Sequence, residues 1–184
     1  MDLKMIDYAI ALTFPSEVSK GLNGLREKYK EYVGYTIEPH LTLAYPFVPT
    51  VDISIIKEKL EAVARKTKTF TLVLNGIEYF EEGNNVAYAA VENKQPVIGL
   101  HIDVMSSLEG FITEENTDGM YDFERFIPHV TIGAQIPDEV FPTVKKLFLD
   151  YELHYEVTIS SFTLFSSGED AIWKPERVFE FSEN

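Results

Sequence analysis

Residues 38–46 read EPHLTLAYP, and residues 127–135 read IPHVTIGAQ. Both stretches carry the same order of residue types: proline, histidine, aliphatic, threonine, aliphatic. Because side chains two apart on a strand share a face, each histidine should point the same way as the threonine two residues later. The aliphatic neighbours should then face the core. The two stretches predict a pair of strands, each with one apolar face and one face that presents an imidazole and a hydroxyl.

The order of elements around these two motifs also repeats. Periodicity and turn residues predict strand, helix, motif strand, helix and strand within residues 6–80, and the same order within 85–166. A closing strand is predicted at 172–181, where it forms a hairpin with the strand before it. We therefore expect a single domain over residues 1–184, in which two repeat lobes share one groove.

Individual elements follow from apolar spacing, caps and turn residues. Asp52 is the predicted N-cap of the most regular helix, and Gly21 and Gly24 weaken the prediction of the first helix. Strands are predicted at 6–14, 35–45, 69–80, 85–92, 123–135, 153–166 and 172–181, and helices at 17–32, 53–66, 96–109 and 138–149.

Two imidazoles that flank one groove suit an in-line displacement at phosphorus. If the repeat is also a pseudo-twofold in space, the two histidines flank one groove. A neutral histidine on one side can then take a proton from the attacking oxygen, and a protonated histidine on the other side can give a proton to the leaving oxygen. His40 and His129 are the two candidates. The hydroxyls of Thr42 and Thr131 can donate hydrogen bonds to the non-bridging phosphate oxygens. This chemistry requires neither a metal ion nor another cofactor.

The paired His-x-Thr motifs resemble those of the two-histidine (2H) phosphoesterase superfamily, which includes 2′-5′ RNA ligase-like proteins and 2′,3′-cyclic nucleotide phosphodiesterases. The resemblance covers nearly the whole chain and includes PHLTLAYPF, NNVAYAAV, FIPHVTIGAQ and FTLFSSGEDAIWKPERVFEF. It implies an α+β fold of two pseudo-symmetric lobes, with antiparallel sheets around a central cleft. It also implies that His40, Thr42, His129 and Thr131 form the active site of a metal-independent enzyme.

The predicted reaction is cleavage of a 2′,3′-cyclic or 2′-5′-linked phosphodiester of a nucleotide or a short RNA end. Three alternatives stay open. The chain could be a nucleotide- or phosphate-binding module of the same fold without turnover, or a 2′-5′ RNA ligase. It could also be a metal-dependent hydrolase in which both histidines and a carboxylate hold a metal ion.

Charge and composition limit the partners. The net charge is −14, with 30 acidic and 16 basic residues, so the surface should repel a long nucleic acid and favour a small nucleotide or a short RNA end. The chain has no cysteine, which excludes a thiol nucleophile and a cysteine-bound metal. We see no secretory leader and no stretch long enough to span a bilayer. We expect a cytoplasmic protein with no membrane partner, and we favour a monomer although the sequence does not define the oligomeric state.

Three further residues are candidates for substrate binding. Arg125 shares strand parity with His129 and could contact phosphate or base, or could form a salt bridge with a neighbouring carboxylate. Phe47 is the better candidate for stacking on a base, and Tyr88 is a second candidate, with core packing as its default role.

Parity and helical spacing also assign residues to the core. On a regular strand Tyr45 would face the core, and Ala44 would face the site. His101 lies at helical spacing with apolar residues, which favours packing over catalysis. His154 has no partner motif and is expected on the surface or lining a sheet.

Overall fold

The computed structural model describes residues 6–33, 37–81, 85–113, 125–168 and 171–182. Within these residues the strands are β1 (Asp7–Thr13), β2 (His40–Phe47), β3 (Phe70–Phe80), β4 (Val86–Val91), β5 (His129–Gly133), β6 (His154–Ile159), β7 (Ser161–Ser167) and β8 (Trp173–Glu180). The helices are α1 (Ser16–Lys28), α2 (Lys30–Val33), α3 (Ile53–Lys66), α4 (Gln95–Leu108) and α5 (Phe141–Phe148).

The strands form two antiparallel sheets of four. Their orders are β2-β1-β7-β8 and β5-β4-β3-β6, so each motif strand is the outermost strand of its sheet. β2 and β5 contact each other across the two sheets. Helices α3 and α4 pack on the first sheet, against β8 and β2, whereas α1 and α2 contact β5 of the second. The prediction of two lobes with antiparallel sheets is confirmed, and the two motif strands contact each other between the sheets.

The lobes are not the contiguous segments 6–80 and 85–166. β3 comes from the first segment but lies in the second sheet, and β7 comes from the second segment but lies in the first sheet. The strand predicted at 153–166 is in fact two strands, because the chain leaves one sheet and enters the other at Ser160. Each half thus contributes its last strand to the other lobe. Neither half can complete a sheet without the other.

Helix α3 begins and ends where its sequence predicts. Asp52 accepts a hydrogen bond from the backbone N–H of Ser54 at 2.8 Å, which satisfies one of the open donors at the helix N-terminus. Ile56, Leu60 and Ala64 form its buried stripe. This agreement arises because cap and stripe are local properties of the sequence.

The predicted helix 17–32 is broken at Tyr29 into α1 and the short α2. Its Gly21 has a structural role, because a Cβ at this position would collide with the hydroxyl of Tyr155 on β6. The glycine therefore lets α1 approach the second sheet closely. Among the helices described by the structure, none is long and apolar enough to cross a membrane.

The predicted strand 123–135 is shorter in the structure. Residues 123 and 124 lie outside the described part of the chain, and residues 125–128 are not in a strand. β5 begins at His129 itself. The second histidine therefore stands at the first position of its strand, as His40 does in β2.

Candidate active site

The two motif histidines are held in the same way. Nδ1 of His40 donates to the backbone carbonyl of Glu38 at 2.8 Å, and Nδ1 of His129 donates to that of Ile127 at 2.8 Å. A carbonyl can only accept, so Nδ1 carries the proton in both rings. Nε2 of each ring is then a proton acceptor when the ring is neutral and a proton donor when it is charged. Both imidazoles are therefore oriented for proton transfer at Nε2.

A proline lies between each histidine and its acceptor carbonyl. Pro39 and Pro128 restrict the preceding residue to extended conformations, which limits the direction of the carbonyl two residues before each histidine. The Pro-His pair is thus a local device for orienting an imidazole. This explains why proline precedes both motif histidines.

The threonines lie on the same face as the histidines. Thr42 and Thr131 are partly exposed, as the histidines are, whereas the aliphatic residues beside them are fully buried. The alternation predicted for the two His-x-Thr stretches is therefore present in β2 and β5. Two hydroxyls accompany two imidazoles at the contact between the sheets.

Burial lowers the pKa of both histidines below the usual imidazole value. For His40 the opposing influence is the hydrogen bond to Glu38, and the positive charge of Arg26 lowers the pKa further. For His129 the hydrogen bond to Ile127 opposes the effect of burial and raises the pKa. The charge of His40 lowers the pKa. A proton on one ring thus disfavours a proton on the other. Burial and this mutual repulsion together disfavour the pair in which both imidazoles are charged.

Aromatic rings support His129. Its ring lies 5.0 Å from that of Phe80 at 90° and 5.3 Å from that of Tyr88 at 62°, between ring centroids. The Tyr88 hydroxyl donates to Oε2 of Glu78 at 3.0 Å. Burial, this hydrogen bond and the Glu78 charge raise the pKa of Tyr88 to about 12. The Tyr88 hydroxyl is therefore uncharged near neutral pH, and its ring packs against His129.

The two aromatic candidates for substrate stacking are corrected by the structure. Phe47 is fully buried and stacks on Tyr8, with centroids 6.3 Å apart. Tyr88 is only 4% exposed, because it is covered by Phe80 and His129. Neither ring has a free face for a base. Phe47 belongs to the core, and Tyr88 supports a motif histidine.

Tyr45 takes the exposed position instead. β2 has an extra residue relative to β1 at two places. The first lies between the pairs Ala11–Thr42 and Ile10–Ala44, and the second lies between the pairs Ile10–Ala44 and Tyr8–Phe47. Each extra residue reverses the alternation of faces. As a result Ala44 is buried, which overturns its predicted place at the site, and Tyr45 is 48% exposed rather than in the core.

A cavity of about 150 Å³ lies beside His129. The residues that line it are mainly aromatic or cationic: Tyr45, Phe80, His101, Arg125, Phe126, Ile127 and His129. Arg125 reaches the cavity from a turn and not from the strand on which it was predicted. The cavity combines ring faces with a cation next to one of the two imidazoles.

His101 forms part of the cavity wall. It is buried, its Nδ1 donates to the carbonyl of Leu43 at 2.7 Å, and its ring stacks on Phe126 with centroids 3.8 Å apart. The sequence prediction that it packs rather than catalyses agrees with this burial. His154 is exposed, as expected, with Nε2 at 3.8 Å from Glu156.

The site residues Phe80 and Phe126 were not predicted from the sequence, and neither was Arg26. Its guanidinium is buried on α1 and donates to the backbone carbonyls of Ile37 and Thr131. A signal was present, because Arg26 follows Leu25 and stands four residues after Leu22 on the apolar face of the helix. A cation on such a face is unusual and indicates a specific partner.

The metal-dependent alternative finds no ligand set in the described residues. Among them, no group of three or more histidine, aspartate or glutamate side chains could hold a metal ion.

Two His-x-Thr strands that meet at the edges of two antiparallel sheets are the arrangement of a two-histidine phosphoesterase. The model of the 2′-5′ RNA ligase superfamily matches residues 14–171, and the chain belongs to this family. A protein of Bacillus cytotoxicus named "Putative phosphoesterase" is 30% identical over 168 residues, which cover 90% of this chain and 92% of that protein. A Bacillus mycoides protein of the same description is 31% identical over 171 residues, with the same coverage.

Solved structures share the fold. LigT of E. coli in its apo form superposes with a TM-score of 0.70 at 16% identity, over 97% of this chain and 99% of LigT. TT0787 of Thermus thermophilus gives a TM-score of 0.69 at 20% identity, over 95% of this chain and 97% of TT0787. LigT complexed with 3′-AMP gives 0.68 at 17% identity, over 97% and 98% of the two chains.

Proposed function

We propose that the protein is a phosphodiesterase that cleaves a 2′,3′-cyclic or 2′-5′-linked phosphodiester of a nucleotide or a short RNA end. The observation that carries this proposal is the matched pair of imidazoles. His40 and His129 both donate Nδ1–H to a carbonyl two residues earlier, which leaves both Nε2 atoms for proton transfer. Membership of the 2′-5′ RNA ligase superfamily supports the same chemistry.

The proposed reaction is a displacement by water. The neutral histidine takes a proton from water through Nε2 as the water oxygen forms a bond to phosphorus. The bond from phosphorus to a ribose oxygen breaks, and the charged histidine gives its proton to that oxygen. The products are a phosphomonoester and a free ribose hydroxyl, and the proton moves from one imidazole to the other. Which histidine acts first as base depends on the orientation of the substrate.

Thr42 and Thr131 have the role of stabilising charge in this proposal. Their hydroxyls would donate to the non-bridging oxygens, on which negative charge grows in the transition state. Each hydroxyl shares a face with its motif histidine, and the two strands that carry them contact each other across the sheets.

The cavity beside His129 would bind the nucleoside. Tyr45 offers an exposed ring, and Arg125 offers a cation for phosphate or for a base edge. Stacking on an aromatic ring is tolerant of base identity and contributes about 1–3 kcal/mol per base. The aromatic and cationic lining beside His129, together with the net charge of −14, suits a single nucleoside rather than a long strand. The complex of LigT with 3′-AMP supports the choice of a nucleotide.

The proposal is tested by a product-resolved assay with EDTA present. Substrates are 2′,3′-cyclic nucleotides, 2′-5′-linked oligoadenylate and ADP-ribose cyclic phosphate. His40→Ala and His129→Ala should each lower kcat by about 10²- to 10⁴-fold, because each removes one proton-transfer group. His154→Ala is the matched control, since this exposed histidine should leave the rate unchanged.

Three outcomes would contradict the proposal. Wild-type turnover by either motif variant would remove the paired-histidine mechanism. Ligand binding without product on any substrate would favour the binding module. Activity lost with EDTA and restored by a divalent metal would favour the metal-dependent hydrolase.

The ligase direction uses the same two imidazoles. A ribose 5′-hydroxyl would replace water as the attacking group on a 2′,3′-cyclic phosphate, and the bond to the 3′-oxygen would break. The family description favours this second candidate function. Incubation of RNA ends that bear a cyclic phosphate and a 5′-hydroxyl distinguishes the two, because only ligation lengthens the chain.

A further inference from the structure

One guanidinium connects the two motif strands. Nη1 of Arg26 donates to the carbonyl of Ile37 at 2.6 Å, three residues before His40. Nη2 donates to the carbonyl of Thr131, inside the second motif. Arg26 itself lies on α1 and is only 6% exposed. The segment that leads into β2 and the strand β5 are therefore held by one side chain from a third element.

We propose that Arg26 is a positioning residue that fixes the separation of the two motif strands, and with it the gap in which His40 and His129 work. This inference rests on the proposed function, because a fixed separation matters only if both imidazoles act on one phosphate. Arg26 is not proposed to touch the substrate.

Arginine suits this role better than lysine. The guanidinium is planar and rigid and presents donors in fixed, divergent directions, whereas the lysine ammonium is a point charge on a flexible stem. β5 is the outermost strand of its sheet, so Arg26 supplies a donor to an edge carbonyl from outside the sheet. Burial of a cation is costly unless its N–H groups donate hydrogen bonds. Here the carbonyls of Ile37 and Thr131, from two chain segments, accept those bonds.

Asn23 extends the connection to the first histidine. Its Oδ1 accepts from Nη1 of Arg26 at 3.1 Å, and its Nδ2 donates to Oε2 of Glu38 at 3.0 Å. The carbonyl of Glu38 is the acceptor that orients His40. One turn of α1 therefore holds Ile37 by its backbone and Glu38 by its side chain, next to the residue that sets the direction of the imidazole.

Arg26 also acts through its charge, which lowers the pKa of His40 in addition to the effect of burial. The two effects can be separated. Arg26→Lys keeps a positive charge and loses the planar set of divergent donors, whereas Arg26→Gln loses both. The limb of the pH–rate profile that belongs to His40 should therefore move to higher pH in Arg26→Gln, whether His40 is the base or the acid.

The experiment compares both variants with Arg65→Gln, which removes an exposed arginine that pairs with Glu61 at 3.3 Å on the surface of α3. Both Arg26 variants should lose about 100-fold in kcat with little change in KM, since a displacement of about 1 Å at a reacting group has this effect. Arg65→Gln should match the wild type in both constants. A variant that is merely less stable would have a smaller active fraction and a lower thermal midpoint. The His40 limb of its pH–rate profile would not move.

Arg26→Lys decides the outcome if Arg26→Gln does not fold. A folded Arg26→Lys protein with wild-type kcat would overturn the inference, and a loss of kcat per folded molecule, at unchanged KM, supports it. NMR titration of the two histidines, without substrate, measures the effect on His40 separately from turnover. If His40→Ala keeps full activity, the proposed function fails. If His40→Ala is inactive and Arg26→Lys is fully active, only the positioning role fails.

Discussion

The ring of Tyr88 stands against the ring of His129, with centroids 5.3 Å apart, and Tyr88 pairs with Thr131 in the neighbouring strand. One residue of β4 is thus a neighbour of both polar members of the second motif, through its ring for His129 and through strand pairing for Thr131. Tyr88 is held by stacking on Phe80 and by a hydrogen bond to Glu78. The imidazole of His129 therefore packs against a ring whose position is restricted. A buried aromatic residue next to a catalytic candidate acts here on orientation, not on substrate.

We therefore expect different results from two substitutions of Tyr88. Tyr88→Phe keeps the ring contacts and loses the bond to Glu78, so kcat should be unchanged and the free energy of unfolding should fall by about 1 kcal/mol. Tyr88→Leu removes the ring and should lower kcat with little effect on KM. Steady-state kinetics and urea unfolding measure both effects. Equal kcat values for the wild type and a folded Tyr88→Leu protein would contradict the supporting role.

The pH dependence of turnover should be bell-shaped with its optimum on the acid side of the usual imidazole pKa of 6.5. The active pair holds one proton, and burial lowers the pKa of both His40 and His129. The state with one proton is therefore most populated below pH 6.5. A profile of kcat/KM against pH tests this, and an optimum well above the usual imidazole pKa would show that other groups control the rate.

The bulged strand predicts opposite phenotypes for Tyr45 and Phe47. Tyr45→Ala removes an exposed ring from the cavity, so it should raise KM and leave the unfolding free energy nearly unchanged. Phe47→Ala removes a fully buried ring and should cost about 3–5 kcal/mol of stability. Thermal unfolding and Michaelis–Menten kinetics of both variants provide the test. A stability loss for Tyr45→Ala as large as that for Phe47→Ala would place Tyr45 in the core after all.

The threonine hydroxyls can be tested by a matched pair at each motif. Thr42→Val and Thr131→Val keep the shape of the side chain and remove the donor, so each should lower kcat by about 100-fold, as loss of an oxyanion donor does. Thr42→Ser and Thr131→Ser keep the hydroxyl and should retain most of the rate. Valine variants that are as active as the serine variants would assign the threonines to strand packing alone.

The sequence was sufficient for the faces of the two His-x-Thr stretches and for the cap and stripe of α3. Alternation on a strand and spacing on a helix are local geometry, and the residues that define them lie within a few positions of each other. The resemblance to the two-histidine class was also visible in the sequence, in which His40 and His129 each occur with a threonine two residues later. The roles of these four residues remain predictions until the variants are measured.

Four features are visible only in the folded protein: the exposure of Tyr45, the burial of Phe47, the exchange of β3 and β7 between sheets and the contact of Arg26 with Thr131. Each depends on pairing with a distant segment. A bulge is defined by the partner strand and reverses every face beyond it, so strand parity fails at that point. Arg26 and Thr131 are 105 residues apart, and the carbonyl that accepts the bond belongs to the backbone, which leaves no trace in the side-chain sequence. Local patterns specify which groups are available, and long-range pairing decides which of them meet.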